Sequence, residues 1–374
     1  MYAALRPLLF TLPPAQAHRV AMLALAPVER SALLARTVRA LLGAPSDRLA
    51  VDAMGLRFPS PVGIAGGFDK NGDRPRALAA LGFGFVEVGT VTAEAQGPNP
   101  SPNLFRLPDD RALVNRLGFP NEGAERVAAR LRAMGGSRGI GVPLAVSIGK
   151  SRSVPLAPID AVIADYIQSF DAVRSVADFV IVNVSSPNTK GLRALQDPAA
   201  ARELLGELAR RAKDAHLPLL LKIAPDLDEP DVDAILGVVR EVRLQGVVCA
   251  NTSIRREGLR TSSAEVERIG AGGLSGPPLY PRALDLVRRA RAALGPRATV
   301  IGVGGIERTA QVREMLEAGA DLVQIYTGFI YEGPLLPTRI ARELGGALER
   351  EGIHRVTALG AAGETALGAP GLSH

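Results

Sequence analysis

The chain reads as a (β/α)8 TIM barrel preceded by an N-terminal two-helix extension. Apolar runs of strand length recur from Pro61 onward, helix-like segments separate most of them, and polar residues follow the runs. The eight runs are Pro61–Ala65, Phe83–Val88, Pro143–Ile148, Phe179–Val184, Pro218–Ile223, Gly246–Ala250, Thr299–Val303 and Leu322–Ile325. Their apolarity is continuous rather than alternating, as expected of strands buried on both faces. Segments such as Ala199–Ala215 and Thr309–Ala318 repeat apolar residues at three- and four-residue steps beside Glu and Arg. Strand and helix in alternation make a parallel sheet wrapped in helices, and eight such strands close into a barrel.

The elements are taken in order. Within residues 1–42, Gln16–Ala26 and Val28–Leu42 are expected as two short helices broken at Pro27, with Leu34, Val38, Leu41 and Leu42 forming an apolar stripe opposite Arg36 and Arg39. Arg6, Arg19, Arg30, Arg36 and Arg39 oppose only Glu29 there, so most of the formal +6 of the chain is N-terminal. A basic amphipathic pair points to an anionic lipid surface, the alternative being a helical cap packed on the barrel. The expected divisions are 1–45 for this extension, 46–345 for the barrel and 346–374 for a C-terminal tail, whose Ala- and Gly-rich part from Ala358 to His374 lacks periodicity. No stretch approaches the roughly 18 apolar residues of a spanning helix, and Pro13, Pro14, His18 and Arg19 interrupt the one candidate secretion signal. Neither membrane crossing nor export is expected.

Composition narrows the function classes. With 374 residues and 47% hydrophobic content the chain can bury a large core. Its one cysteine, Cys249, excludes an internal disulfide and a cysteine-based zinc site, and its apolar surroundings point to an inert core thiol. The four histidines, His18, His216, His354 and His374, lie away from the strand tips in sequence, so no metal site is expected. Without Trp, and without a basic run in the body of the chain, nucleic acid is discounted as a partner.

The polar tips that follow the runs hold the candidate site. They are Lys70, Thr90, Ser147 and Lys150, Asn183 and Ser186, Lys222, Asn251 and Thr252, Gly304 and Gly305, and Tyr326 and Thr327. Asn183 to Thr189 place two carboxamides and a hydroxyl at one strand end, a set suited to a ligand rich in imide N–H and C=O groups, with Ser186 placed to move a proton. The glycines of Gly302–Ile306 and the tip Tyr326–Gly328 end the seventh and eighth runs, where barrels commonly hold a phosphate. Lys222 closes an apolar run, so its ammonium needs an anionic partner, and a reduced flavin would supply one. Lys70, after the Gly66-Gly67 pair, could hold a carboxylate. Asn115 to Phe119 add an amide and an aromatic after the Pro-containing stretch Gly97–Pro108, either a lid over the mouth or a surface connection.

Taken together, seven motifs in register resemble quinone-dependent (class 2) dihydroorotate dehydrogenase from about Met1 to Leu344. They are Gly-Gly-Phe-Asp-Lys, Asn-Arg-Leu-Gly-Phe, Asn-Val-Ser-Ser-Pro-Asn-Thr, Leu-Lys-Ile-Ala-Pro-Asp, Gly-Gly-Leu-Ser-Gly, Gly-Val-Gly-Gly-Ile and Gln-Ile-Tyr-Thr-Gly-Phe. The resemblance implies an FMN enzyme that oxidises dihydroorotate to orotate in pyrimidine synthesis and passes electrons to a membrane quinone. It would be peripheral, on the cytoplasmic side of the inner membrane. FMN would be held by Gly66, Gly67, Phe68, Asp69, Lys70, Thr90, Ser147, Asn183, Lys222, Ala250, Gly276, Gly305, Tyr326 and Thr327. Orotate would be held by Lys70, by Asn115, Arg116, Leu117, Gly118 and Phe119, and by Asn183, Asn188, Asn251 and Thr252. Ser186 aligns with the catalytic base, where soluble relatives carry cysteine, and Lys222 stands beside it as the second catalytic group. Ser147 and Ala250 depart from the Asn and Thr usual at those positions. The competing classes are another FMN barrel oxidoreductase, a colourless aldolase or isomerase barrel using Lys222, and a non-catalytic membrane-associated scaffold.

Overall fold

The computed structural model describes residues 2–360. Thirteen strands occur among them, and eight form one closed parallel barrel. β1 (Val51–Ala53) and β2 (Leu56–Phe58) are an antiparallel hairpin. The barrel runs in chain order through β3 (Val62–Asp69), β4 (Phe85–Val91), β7 (Leu144–Ile148), β8 (Phe179–Asn183), β9 (Leu219–Ile223), β10 (Gly246–Cys249), β12 (Thr299–Val303) and β13 (Leu322–Ile325). Each of the eight expected runs is one of these strands. Pairing of Val323, Gln324 and Ile325 with Val62, Gly63 and Ile64 closes the circle, so the barrel has no free edge.

The hairpin β1–β2 was not anticipated, and it seals the N-terminal end. Phe58 is fully buried and meets Phe85 at 5.5 Å and Phe179 at 6.1 Å between ring centroids, both edge to face. Gly63 makes room for this cluster, since a Cβ there would stand 2.4 Å from the Phe85 ring.

Three further strands build a separate antiparallel sheet, β5 (Leu104–Leu107), β6 (Ala112–Asn115) and β11 (Gly273–Ser275), in the order β11-β6-β5. The stretch from Gly97 to Phe119, expected as a lid or plain connection, thus carries a hairpin over Leu104–Asn115. Its strands are only three or four residues long and bounded by Pro102 and Pro108, too short for a periodic signal. Leu107, Ala112, Val114, Ile269 and Leu274 give it a small core of its own.

The N-terminal extension contains three helices rather than two: α1 (Tyr2–Thr11), α2 (Pro14–Arg30) and α3 (Ala32–Leu42). Pro27 lies inside α2, and the break falls at Ser31, which is extended and caps α3 by accepting a hydrogen bond from Leu34 N at 3.1 Å. A proline near a helix C-terminus removes one hydrogen bond, whereas a serine N-cap starts the next helix. The expected stripe is split: Leu34 and Leu41 are exposed, Val38 and Leu42 are half-buried, and Leu42 packs on the core.

The helices dock tightly. Glu29 is buried and accepts from Ala77 N at 2.9 Å, where α4 (Pro75–Ala80) begins, while Arg74 and Arg76 donate to Met22 O and Glu29 O. Tyr2 donates to Ile330 O at 2.5 Å. At the other end, the final long helix spans Leu336–Arg350 and so passes the boundary expected at residue 345, and Leu348, Val356 and Leu359 are buried against the barrel's core. The rest of the expected tail, 361–374, lies outside the described residues.

Phe58→Ala should lower the unfolding free energy by about 3–5 kcal/mol, read as a lower urea midpoint at unchanged slope, because it empties the plug of the barrel's closed end.

Candidate active site

The C-terminal ends of the barrel strands and the small sheet enclose one cavity, and most of the expected residues line it. Its floor is a buried ionic cluster. Lys222 Nζ lies 3.5 Å from Glu87 Oε1, and Glu87 Oε2 accepts from Gln324 Nε2 at 2.6 Å. Glu87 and Gln324 are fully buried, and Gln324 Oε1 has no hydrogen-bond partner. β4, β9 and β13 are not neighbours in the barrel, so these contacts run across its interior.

The wall around Ser186 is a chain of amides and hydroxyls. Asn183 donates to Thr90 Oγ1 at 2.8 Å, and Thr90 in turn pairs with Ser147 Oγ at 3.0 Å. Asn183 Oδ1 accepts from Asn251 Nδ2 at 3.2 Å and from Ser185 Oγ at 3.1 Å. Asn188 donates to Asn115 Oδ1 at 2.9 Å, which joins the loop after β8 to the end of β6. Ser186 is buried, and its Oγ accepts from Asn188 N at 3.2 Å. A cation holds the two loops from behind: Arg193 donates to Ser185 O and Thr252 O at 3.0 Å each and pairs with Asp226 at 2.8 Å.

The opposite end is built from close-packed backbone. A Cβ at Gly305 would stand 2.8 Å from Gly276 O, and one at Gly276 would stand 2.8 Å from Arg111 O, while both have φ in the left-handed region. Thr327 donates to Ser275 Oγ at 2.8 Å beside them. At the rim, Lys70 donates to Gly67 O at 2.7 Å, and burial pulls its ammonium down to about 8 although Asp69 opposes the shift. Tyr326 also donates to Gly67 O, and burial pushes its hydroxyl up to about 12.

Gly66, Gly67, Lys70, Thr90, Asn115, Leu117, Gly118, Phe119, Asn183, Ser186, Asn188, Lys222, Ala250, Asn251, Thr252, Gly276, Gly305, Tyr326 and Thr327 line the cavity. Four expected side chains are engaged elsewhere. Phe68 packs between His18, Tyr326 and Phe329. Asp69 is fully buried and accepts from Asp73 N and Arg74 N at 2.8 Å each; burial raises its carboxyl against those donors. Ser147 reaches the cavity only through Thr90. Arg116 points to Pro102 O and Ala271 O and covers the Phe105 ring.

The partner of Lys222 is thus Glu87 in the barrel itself, a residue the sequence reading passed over. An acid inside the apolar run Phe83–Val88, and Gln324 inside Leu322–Ile325, were the available signals. Ser275 and Arg193 were also missed. His18, expected away from the strand tips, is carried by α2 to within 5.1 Å of the Phe68 ring, where burial and then the Lys70 charge press its imidazole down to about 4. Cys249 is buried, and burial pushes its thiol up to about 12, as suits an inert core position.

The site fits FMN on two observations. The Gly276–Gly305 cradle, with the Ser275 and Thr327 hydroxyls, leaves no room for Cβ atoms and offers bare backbone to a phosphate, and the unpartnered Gln324 Oε1 in the floor awaits an N–H donor such as a flavin ring carries.

Comparison with known proteins agrees with this geometry. A family model described as "Dihydroorotate dehydrogenase" matches residues 48–348. A protein of Rhodococcus opacus (strain B4) is 47% identical over 357 residues, covering 95% of this chain and 97% of its own. One of Nocardioides sp. (strain ATCC BAA-499 / JS614) is 51% identical over 323 residues, covering 84% of this chain and 90% of its own. Both are named dihydroorotate dehydrogenase (quinone). The crystal structure of DHODH from Eimeria tenella in complex with ferulenol superposes with a TM-score of 0.80 at 33% identity, over 92% of this chain and 94% of that one. With its barrel, its cavity and its sequence in accord, this chain belongs to the dihydroorotate dehydrogenase family.

Proposed function

We propose that this protein oxidises dihydroorotate to orotate with FMN as hydride acceptor and a membrane quinone as the final acceptor, a step of pyrimidine synthesis. Ser186 carries the reading: a buried hydroxyl, ringed by carboxamides, in the same cavity as a lysine ammonium. Four asparagine carboxamides, Asn115, Asn183, Asn188 and Asn251, line the cavity, and each can both donate to and accept from an imide ring. Lys70 at the rim supplies a cation for the ligand's carboxylate.

FMN, when bound, would supply the acceptor for the hydride that leaves C6 of the substrate. The chain's own residues manage the rest. Ser186 would receive the proton from C5 while its own hydroxyl proton passes onward to water; the hydrogen bond from Asn188 N orients the hydroxyl, and its burial keeps bulk water from the reacting carbon. The amides stabilise charge that develops on the substrate carbonyls, as an oxyanion site does. Ser275, Gly276, Gly305 and Thr327 would hold the phosphate of FMN, and Lys222 and Gln324 would meet the polar edge of its ring. Ala250 lines the cavity without the hydroxyl usual there, and Ser147 acts through Thr90.

The quinone would be reached through the N-terminal helices. Leu5 and Leu8 on α1, Val20 and Leu23 on α2, and Leu33, Leu34 and Leu41 on α3 are exposed, and the same helices carry the exposed Arg19, Arg30 and Arg36, a combination suited to anionic lipid. No helix among the described residues is long and apolar enough to cross a membrane. Peripheral attachment to the cytoplasmic face of the inner membrane fits that surface.

Purified protein should be yellow and should bleach with dihydroorotate in the absence of oxygen; material free of flavin and unable to take it up ends the proposal. Ser186→Ala should bind orotate normally yet bleach about 10²–10⁴-fold more slowly, whereas an equal rate removes Ser186 from the chemistry. Orotate affinity should be full below pH 8 and weaken by roughly tenfold per unit as pH rises above about 8, because the Lys70 ammonium is lost there; a titration flat from pH 7 to 10 excludes that contact. Leu33→Glu with Leu41→Glu should abolish co-sedimentation with anionic vesicles and leave anaerobic bleaching unchanged.

A further inference from the structure

We infer that Glu87 is a positioning residue that presents Lys222 and Gln324 to the bound flavin and sets how readily that flavin is reduced. The inference rests on the FMN reading above. Three facts carry it. First, Glu87 is fully buried and faces an ammonium on one oxygen and a carboxamide on the other, so it orients both groups at once. Second, both contacts leave ligand-binding capacity unspent. The 3.5 Å separation from Lys222 is longer than the roughly 2.7–2.9 Å of a tight charge-assisted bond, so the ammonium keeps donors for a ligand. The amide nitrogen of Gln324 is drawn to Glu87 Oε2, which leaves its carbonyl oxygen buried without a donor, and both Lys222 and Gln324 line the cavity. Third, the carboxylate lies directly beneath the cavity lining, for a Cβ added to Gly66 would stand 2.1 Å from Glu87 Oε1.

The electrostatic consequence has a definite sign. Adding electrons to a flavin above this floor is favoured by the ammonium and opposed by the carboxylate one layer deeper. Glu87 thus moderates Lys222, holding the reduction potential below the value an unpaired lysine would produce. A carboxylate fixed across the barrel interior cannot be replaced by solvent there, so its charge is felt with little screening.

The test is the midpoint potential of the FMN-loaded protein, measured by dye equilibration, together with FMN affinity. Glu87→Gln keeps the shape and removes the charge, and should raise the potential by at least tenfold in the oxidised-to-reduced equilibrium, about 30 mV for a two-electron couple. Lys222→Met should lower it, and the double variant should fall between the two. Glu87→Asp keeps the charge and should stay closer to wild type than Glu87→Gln, which also serves if Glu87→Gln folds poorly. Equal shifts in Glu87→Gln and Glu87→Asp, or no shift in Glu87→Gln, overturn the inference. A wild-type protein that takes up no flavin defeats the FMN reading instead.

Discussion

Closure of the barrel by β13 on β3 is the constraint on which everything else in the molecule depends. Eight parallel strands joined edge to edge satisfy their own backbone groups, so the interior must be filled by side chains alone. The two ends fill differently. At the N-terminal end Phe58, Phe85 and Phe179 make a dry aromatic plug. Above it, where the strands run out, the interior turns polar with Glu87, Lys222 and Gln324, and the cavity opens over them. A polar cluster in such a place is tolerated because its members satisfy one another, and one acceptor, Gln324 Oε1, is left over on a residue that lines the cavity.

The carboxamide wall obeys the same logic on a smaller scale. Asn183 is simultaneously a donor to Thr90 and an acceptor from Asn251 and Ser185, so its orientation is over-determined. Asn188 is tied across to Asn115 on the small sheet. Amides held this way pay little ordering entropy when a planar imide arrives, which favours a preformed site over one assembled by the ligand.

Much of this was legible in the sequence. Continuous apolar runs separated by helical periodicity located every barrel strand, and polar residues just beyond them located the cavity. What escaped has physical causes. Strands of three or four residues, β1, β2, β5, β6 and β11, are too short to show a period, and they supply both the plug and one wall of the site. Glu87 and Gln324 hid inside runs read as apolar, because burial of a charge in a barrel depends on partners from strands distant in sequence. Ser31 rather than Pro27 divides α2 from α3, since a cap starts a helix more decisively than a late proline ends one. His18 could not be placed by sequence distance at all; only the docking of α2 brings it to Phe68.

The Arg193 guanidinium couples two loops of the mouth. It grips the carbonyls of Ser185 and Thr252 and is itself anchored to Asp226, which also accepts from Ser253 and Ile254 N. Two loops from different strands therefore behave as one rigid jaw. Insertions in either would be transmitted to the other, so that side of the mouth resists evolutionary remodelling. The β5–β6 hairpin is bolted to the same jaw, for Asp110 in its turn accepts from Arg260 N, Thr261 N and Thr261 Oγ1, and Asn188 donates to Asn115 Oδ1. Both sides of the mouth are thus held together, and a change of loop length on one side would disturb the other.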